Sequence, residues 1–288
     1  MSAAVTVRKF APADVAAAAR FCEAARALDP EIEPFGEHLP ALAALGRAQL
    51  PLWRVAADER GALQGIAFAA LREGRGGRAH DLYCAVHPAL RRQGLGRALC
   101  EPTLACSIAV RGRVREGAAP GRAFLAALGF AETSAQLLLQ RASAPIQAPA
   151  SPATLRIRAA SAKDGQVVQR LSAEAWAGAP DAFVSHADDV AQILSGPGRL
   201  ALLAQWEGRP AGYLAAVRLG GALGIEQVAV LPHFRRLGIG RALVAYALRE
   251  GTAALLSVSE DNAEGRALYR SLGFETAARR LILERRVR

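Results

Sequence analysis

Between Val228 and Arg241 the chain reads VAVLPHFRRLGIGR, a run whose residue types and spacing suit it to holding an anion. Val228, Ala229 and Val230 form a β-prone apolar run. Pro232 lacks an N–H and cannot continue a sheet ladder. Arg235, Arg236, Leu237, Gly238, Ile239 and Gly240 follow, and an apolar helix begins there. Gly238 and Gly240 permit positive φ and a close approach of backbone to ligand. The unpaired N–H groups that open the helix face the anion, and the helix dipole adds to the attraction. Arg235, Arg236 and Arg241 supply mobile charge around that point, and a pyrophosphate fits such a cradle.

The same run occurs earlier as LYCAVHPALRRQGLGRAL. Val86, Arg91, Gly94, Gly96 and Leu99 precede Val230, Arg235, Gly238, Gly240 and Leu243 by 144 residues each, and Gly129-Phe130 precedes Gly273-Phe274 by the same interval. A constant offset over that span means a duplicated unit without net insertion. A period this long indicates a duplicated domain, not a solenoid.

The pattern V-x-V, Pro, R-x-x-G-x-G at a strand-to-helix junction resembles the acetyl-CoA loop of GNAT-superfamily N-acetyltransferases. Asn262 through Phe274, N-x-x-[A/G]-x-x-x-Y-x-x-x-G-F, is similar to that family's last motif, in the family's order and spacing. The resemblance implies two tandem GNAT-like acyl-CoA N-acyltransferase domains of α/β class, with an α+β mixed sheet. It implies acetyl-CoA as co-substrate, held by Val228, Ala229, Val230, Arg235, Arg236, Leu237, Gly238, Ile239, Gly240, Arg241 and Asn262. The implied reaction moves an acetyl group to a primary amine of a small molecule or protein. The alternative is an acyl-CoA-binding regulatory module without turnover.

An amine acceptor must lose a proton, because an ammonium of pKa near ~10.4 is almost entirely unreactive at pH 7. Glu226, at the start of the strand carrying Val228 and Val230, is the candidate base, directly or through water. The alternative is a strand-end charge that solvates the sheet rim. Gln227 cannot act as a base. The resemblance implies that this strand splays from its neighbour and offers an N–H between Val228 and Val230 to the developing oxyanion. It also puts Tyr269 at the family's general-acid position, protonating the departing thiolate. Tyr269 follows Asn262 by seven residues, nearly two helical turns, so the two share a face. A core aromatic is the other reading of Tyr269, and Asn262 bonds the pantetheine arm, caps the helix, or does both.

In the first copy these polar roles are vacant: Glu226 corresponds to Leu82, Asn262 to Ala118 and Tyr269 to Leu125. Asp81 is adjacent to Leu82 but projects to the other face of a strand. Arg91 and Arg97 still bracket a phosphate cradle. The first copy is therefore expected to be catalytically silent, either binding CoA without transfer or only bracing the second copy.

Positioning these groups requires strand, loop, helix, strand, helix over residues 225–274. Hydrophobic periodicity predicts strands over 225–230 and 255–259, and helices over 241–248 and to 272 from a cap at Asp261 or Asn262. Ahead of them come a strand at 155–158, a helix from Asp164 to 176, a helix over 188–194, and a hairpin of 200–206 with 211–219. A last strand is expected at 279–284. The first copy predicts strands at 5–8, 82–86 and 111–116, helices at 15–27, 39–48, 97–105 and 122–128, and a hairpin of 52–57 with 65–71. Asp14 and Asp164 are plausible helix N-caps. Residues 141–153, RASAPIQAPASPA, lack apolar periodicity and read as the linker region. The expected division is a degenerate domain 1–142, a linker 143–153 and a catalytic domain 154–288. Acceptor selectivity is expected from residues 171–199, where Glu174, Asp181, Asp188 and Asp189 suit a cationic amine or are simply solvated, and from the hairpin after Phe274.

Composition narrows the field. At 288 residues with 52% apolar and 22% charged residues, the chain suits one or two globular domains. No apolar run reaches the roughly 18 residues of a membrane span, and MSAAVTVRKF lacks a signal-peptide pattern, so a cytoplasmic protein is expected. Cys22, Cys84, Cys100 and Cys106 show no metal-ligand spacing. They read as reduced structural thiols, and no metal site is expected. The net charge of +10 comes almost wholly from arginine, spread along both copies. A nucleic-acid binder would gather its basic residues on one face, so the balance argues against that class. The field instead favours a polyanionic cofactor. Oligomeric state is left open.

Overall fold

The computed structural model describes residues 5–32, 50–74, 77–106, 108–146, 152–177 and 187–286. The helix expected over 39–48 lies outside them. Two compact units are present. One is drawn from Met1–Glu73, Gly77–Ala135 and Arg280–Arg288, the other from Gly74–Gly76 and Gln136–Arg279.

The first unit is built on strands β1 (Thr6–Lys9), β2 (Arg54–Ala57), β3 (Leu63–Gly74), β4 (Gly77–Val86) and β5 (Ala109–Arg115), followed by the end of β12 (Glu275–Arg285). β1–β2, β2–β3 and β5–β12 are antiparallel, whereas β4–β5 is parallel. Helix α1 (Val15–Leu28) is Ala-rich, a strong helix former. It buries Ala18, Phe21, Cys22 and Ala25, the spacing of one helical face. That face joins Phe10, Trp53, Ile66 and Phe68 in one cluster. On the other cluster, α2 (Leu95–Leu104) and α3 (Ala119–Ala127) bring Leu99, Cys100 and Leu125 against Leu82, Val110 and Val114.

The second unit repeats the plan. Its strands are β6 (Ala131–Arg141), β7 (Leu155–Ala159), β8 (Arg199–Trp206), β9 (Arg209–Leu219), β10 (Ala222–Val230) and β11 (Ala253–Ser259), in the order β6-β11-β10-β9-β8-β7. Helices α4 (Gly165–Ala175) and α5 (Ala187–Ser195) cover Leu203, Tyr213, Ala229 and Leu231. Helix α6 (Ile239–Ala247) covers a cluster containing Leu214, Ile225 and Leu256. Helix α7 (Ala263–Ser271) follows β11. Each unit is thus a mixed α/β structure with helices on both faces of its sheet.

Strand β6 was not anticipated. It follows α3 in the chain yet pairs with β11, Leu139 opposite Leu256. Strand β12 follows α7 yet pairs with β5, Leu281 opposite Val114. Each carries three consecutive apolar residues, 137–139 and 281–283; Leu139 packs in the second unit's core, Leu281 and Leu283 in the first's. The units are therefore not contiguous in sequence, unlike the expected division at 142 and 154. Of the expected linker, Ser143 donates to Gly251 O at 2.7 Å, Arg141 reaches Ala144 O at 2.9 Å, and Ile146 packs on the second unit's core.

Asp14 and Asp164 make no side-chain cap to their α-helices. Each instead closes the 3-10 turn before the helix and clasps an arginine. Asp164 accepts from Arg158 at 2.6 and 2.9 Å and from the Ser161 N–H at 2.8 Å. Asp14 does the same with Arg8 and the Ala11 N–H. The arginine contact holds both carboxyls below the usual carboxylate range. A folded-state pKa depressed in this way adds stability that is present above the unfolded value of about 3.9 and fades as pH falls through the folded value. Arg158 is nearly half exposed, so Asp164→Asn is expected to cost only about 1–2 kcal/mol at pH 7. Thermal melts of variant and wild type should converge in acid; a gap that persists there would refute the account.

Candidate active site

Strands β10 and β11 pair in parallel from Ala222 opposite Ala253 to Ile225 opposite Leu256, and no further. Beyond that point β10 pairs only with β9, while β11 continues against β6 to Ser259. The two strands part, as the resemblance implied. The parting begins at a bulge, because Ile225 faces Ala216 and Gln227 faces Ala215, leaving Glu226 as the extra residue. A bulge bends its strand and re-aims the inserted side chain.

Backbone groups along the open edge of β10 follow from the ladder. The Leu231 N–H donates to Ala211 O at 2.9 Å. Strand alternation then turns Ala229 and Gln227 toward β9, and Val228 and Val230 toward the opening. Ala229, named from sequence as a cofactor contact, is not brought into the opening. Its backbone faces β9 and it is buried in the α4–α5 cluster. Val228 and Val230 border the opening and share one apolar cluster with Leu268 and Tyr269.

The loop after β10 has the conformation that an anion cradle needs. Arg236 has φ 65° and Gly238 φ 78°, and Gly238 is the N-cap of α6. The first backbone bond into the helix runs from the Ala242 N–H to Gly238 O at 2.9 Å. The amides of Arg236, Leu237, Gly238, Ile239, Gly240 and Arg241 donate to no acceptor among the described residues. Such unspent donors at a helix start fit a pyrophosphate. A Cβ on Gly240 would lie 3.2 Å from Leu268 Cδ1 and 3.7 Å from Val230 Cγ2. Loop, strand edge and α7 therefore meet around a residue that has little room for a side chain.

The arginines differ in role. Arg235, expected as mobile charge, is fixed: it donates to Ala175 O at 2.8 Å and to Val230 O at 3.4 Å. It ties the loop to the C-terminal end of α4, where the helix dipole favours a cation. Arg236 stays exposed, 3.6 Å from Glu264, and Arg241 is exposed. These two remain the movable charges.

At the bulge, Arg199 Nη1 donates to Glu226 Oε2, and the Glu226 side chain stays 33% accessible. One carboxylate oxygen is thereby held. Oε1 has no partner among the described residues and is open to an acceptor proton or a water. Gln227 Oε1 accepts from the Tyr213 hydroxyl. Burial raises the Tyr213 pKa, and contacts from Ser172 and Trp176 work against that rise. Sequence reasoning missed Arg199 and Tyr213, which lie on strands distant in sequence and carry no local motif.

Asn262 Oδ1 accepts the Gly265 N–H at 2.8 Å and caps α7. A Cβ on Gly265 would meet the Asn262 side chain at 2.8 Å, so any larger residue there would shift the capping amide. Tyr269 packs edge-on against Phe274 at 5.7 Å. Its hydroxyl has no protein partner among the described residues, and burial pushes its pKa up to about 12. The phenol therefore keeps its proton throughout the neutral range and can serve as a donor. Of the acidic residues expected to attract an amine, Glu174 is exposed on α4 beside a groove of about 410 Å³ shared with Arg170, Arg209 and His233. Asp181 lies outside the described residues.

The first unit copies the cradle but has no counterpart of Glu226 or Tyr269. Arg92 has φ 67°, Gly94 φ 80°, and the Ala98 N–H donates to Gly94 O at 3.1 Å. Arg91 repeats the bond to its strand, Nε to Val86 O at 3.3 Å, and pairs with Asp29 at 2.7 Å. Leu82 and Leu125 are buried in the apolar core. β4 and β5 pair as far as Leu82 opposite Gly112. The next residue of β5, Arg113, donates to Asp81 at 2.9 Å and to the Tyr83 hydroxyl at 3.1 Å. Asp81, 1% exposed, is thus a buried ion-pair partner on the Tyr83 face.

Among the described residues no helix is long and apolar enough to cross a membrane, and no cluster of His, Cys, Asp and Glu suits a metal ion. Comparison with known proteins agrees with this geometry. The model of the acetyltransferase (GNAT) family matches residues 168–274. A mycothiol acetyltransferase of Clavibacter michiganensis subsp. michiganensis is 32% identical over 265 residues, covering 87% of this chain and 85% of that protein. Among solved structures, a GCN5-related N-acetyltransferase from Sphaerobacter thermophilus has TM-score 0.73 at 20% identity, covering 98% of this chain and 95% of its own. A tandem GNAT protein of the clavulanic acid biosynthesis pathway has the same score and identity and is covered to 98% on both sides. The duplicated cradle, the parted strands and these likenesses lead to one conclusion: the chain belongs to the GNAT family of acetyltransferases, enzymes that use acetyl-CoA.

Proposed function

We propose that the second unit transfers the acetyl group of acetyl-CoA to a primary amine, and that the first unit is catalytically silent. The observation that carries this reading is Glu226, standing on a bulge where β10 parts from β11, above a loop whose amides are unspent. The family match over residues 168–274 supports it, since that span holds Glu226, the loop and Tyr269.

Acetyl-CoA supplies an activated acetyl thioester. The chain's own residues do the rest. The amides of Arg236 through Arg241, with the Arg236 and Arg241 side chains, hold the diphosphate at the start of α6. Val228 and Val230 offer main-chain groups along the opening to the pantetheine arm. A donor there suits the oxygen on which charge develops. Glu226 Oε1 takes a proton from the acceptor ammonium while Arg199 keeps the carboxylate oriented. Tyr269 returns a proton to the departing thiolate. The Asn262 cap fixes the start of the helix that carries Tyr269.

In the first unit Leu82 and Leu125 can neither accept nor donate a proton, which supports its silence. The acceptor class is read from Glu226 alone, since an anionic base suits a cationic amine. The test is release of free CoA, followed with a thiol reagent, from acetyl-CoA mixed with a panel of primary amines, peptides and mycothiol-related acceptors suggested by the 32%-identical relative. Amine-dependent release above the hydrolysis rate is expected. Release that no amine in the panel stimulates would overturn the reading.

A further inference from the structure

Two thiols of the first unit take no part in the reading above. Cys84 lies on β4, which leads into the first glycine loop, and Cys100 lies on α2, which leaves it. Their counterparts 144 residues on are Val228 and Val244, both packed on one apolar cluster. The first unit keeps this strand-to-helix contact, with Cys84 packed against the cluster that contains Cys100, but makes it with two sulfurs. Both thiols lie where α2 packs on β4, and the nearness of Cys84 is the main cause that raises the Cys100 thiol. Cys100 is fully buried and Cys84 is half-buried. Packing alone needs only valine here, as the second unit demonstrates. The other thiols are placed differently: Cys22 belongs to the α1 cluster, and Cys106 donates to Pro102 O at 3.5 Å.

We propose that Cys84 and Cys100 form a reversible dithiol–disulfide site that takes a low-molecular-weight disulfide as its oxidant. The Cys84 thiolate, the one solvent reaches, attacks one sulfur of the oxidant and expels the other half as a thiol. The Cys100 thiolate then attacks the Cys84 sulfur of the mixed disulfide and expels the second half. The pair gives up two electrons and two protons, and the oxidant becomes two thiols. The Cys84 contact and burial together push the Cys100 thiol well up, so the second step is the slow one. The bond would staple β4 to α2 on either side of the first glycine loop. The proposal does not depend on which unit is catalytic.

The test treats the folded full-length protein with glutathione disulfide, alkylates the remaining thiols, and maps peptides by mass spectrometry. The expected result is loss of two of the four thiols, a peptide pair linked through Cys84 and Cys100, and recovery on adding dithiothreitol. Cys100→Val should stop at a glutathione adduct on Cys84, and Cys84→Val should leave Cys100 unmodified. Both variants carry the residue found at the same place in the second unit, so both are expected to fold. Retention of all four thiols, a persistent glutathione adduct on Cys84 in the wild type, or a link through Cys22 or Cys106 would each overturn the proposal.

Discussion

Replacing Tyr269 with phenylalanine is expected to lower kcat by at least about 10²-fold and to leave acetyl-CoA affinity within a few-fold. The hydroxyl has no protein partner among the described residues, so its removal orphans no buried group. The ring keeps its edge contact with Phe274 and its place in the core. Only the proton donor is lost. Because burial holds the phenol near pKa 12, Tyr269 stays protonated across the working range, and any alkaline fall in rate below about pH 10 must come from another group. Steady-state kinetics beside an acetyl-CoA titration separates the cases. An unchanged kcat would make Tyr269 a packing residue. A large loss of affinity with kcat intact would make it a cofactor contact.

The second large effect is expected at Glu226. Glu226→Gln preserves shape and an oxygen for Arg199, yet cannot accept a proton. Near pH 7 the rate should drop by about 10²–10³-fold. The deficit should then shrink about tenfold for each pH unit as the free amine becomes abundant, up to the acceptor pKa near ~10.4. A structural role would give a deficit independent of pH. Stability should change little, because an ion pair at a partly exposed carboxylate contributes about 0–1 kcal/mol. A pH-independent deficit would therefore remove Glu226 from proton transfer.

Much of this site was legible in the residues themselves. Gly238 after an apolar strand announces a positive-φ turn that opens a helix, whereas Gly240, expected to share that freedom, lies inside the helix without positive φ; the repeat 144 residues earlier announces a duplicated unit. Asp261 or Asn262 before an amphipathic run reads as a cap, and Asn262 is the one that caps. What escaped were properties fixed by long-range partners. Arg235 looks like any loop arginine until Ala175 O, on another helix, claims it. Glu226 looks like a strand end until pairing across β9 leaves it unmatched as a bulge and Arg199 meets it. Asp14 and Asp164 look like helix caps, but Arg8 and Arg158 draw their carboxylates to the turn before the helix. Strands β6 and β12 each carry a run of three apolar residues, which marks a buried strand but not which sheet edge it joins.

The central claim is that amides after Arg235 grip a diphosphate and so set a thioester into the opening between β10 and β11. Amide hydrogen exchange of the full chain, with and without saturating acetyl-CoA, tests it most directly. The account predicts slowed exchange over residues 236–241 and at Val228 or Val230. Acetyl-CoA that saturates the protein while exchange over 236–241 stays unchanged would contradict it.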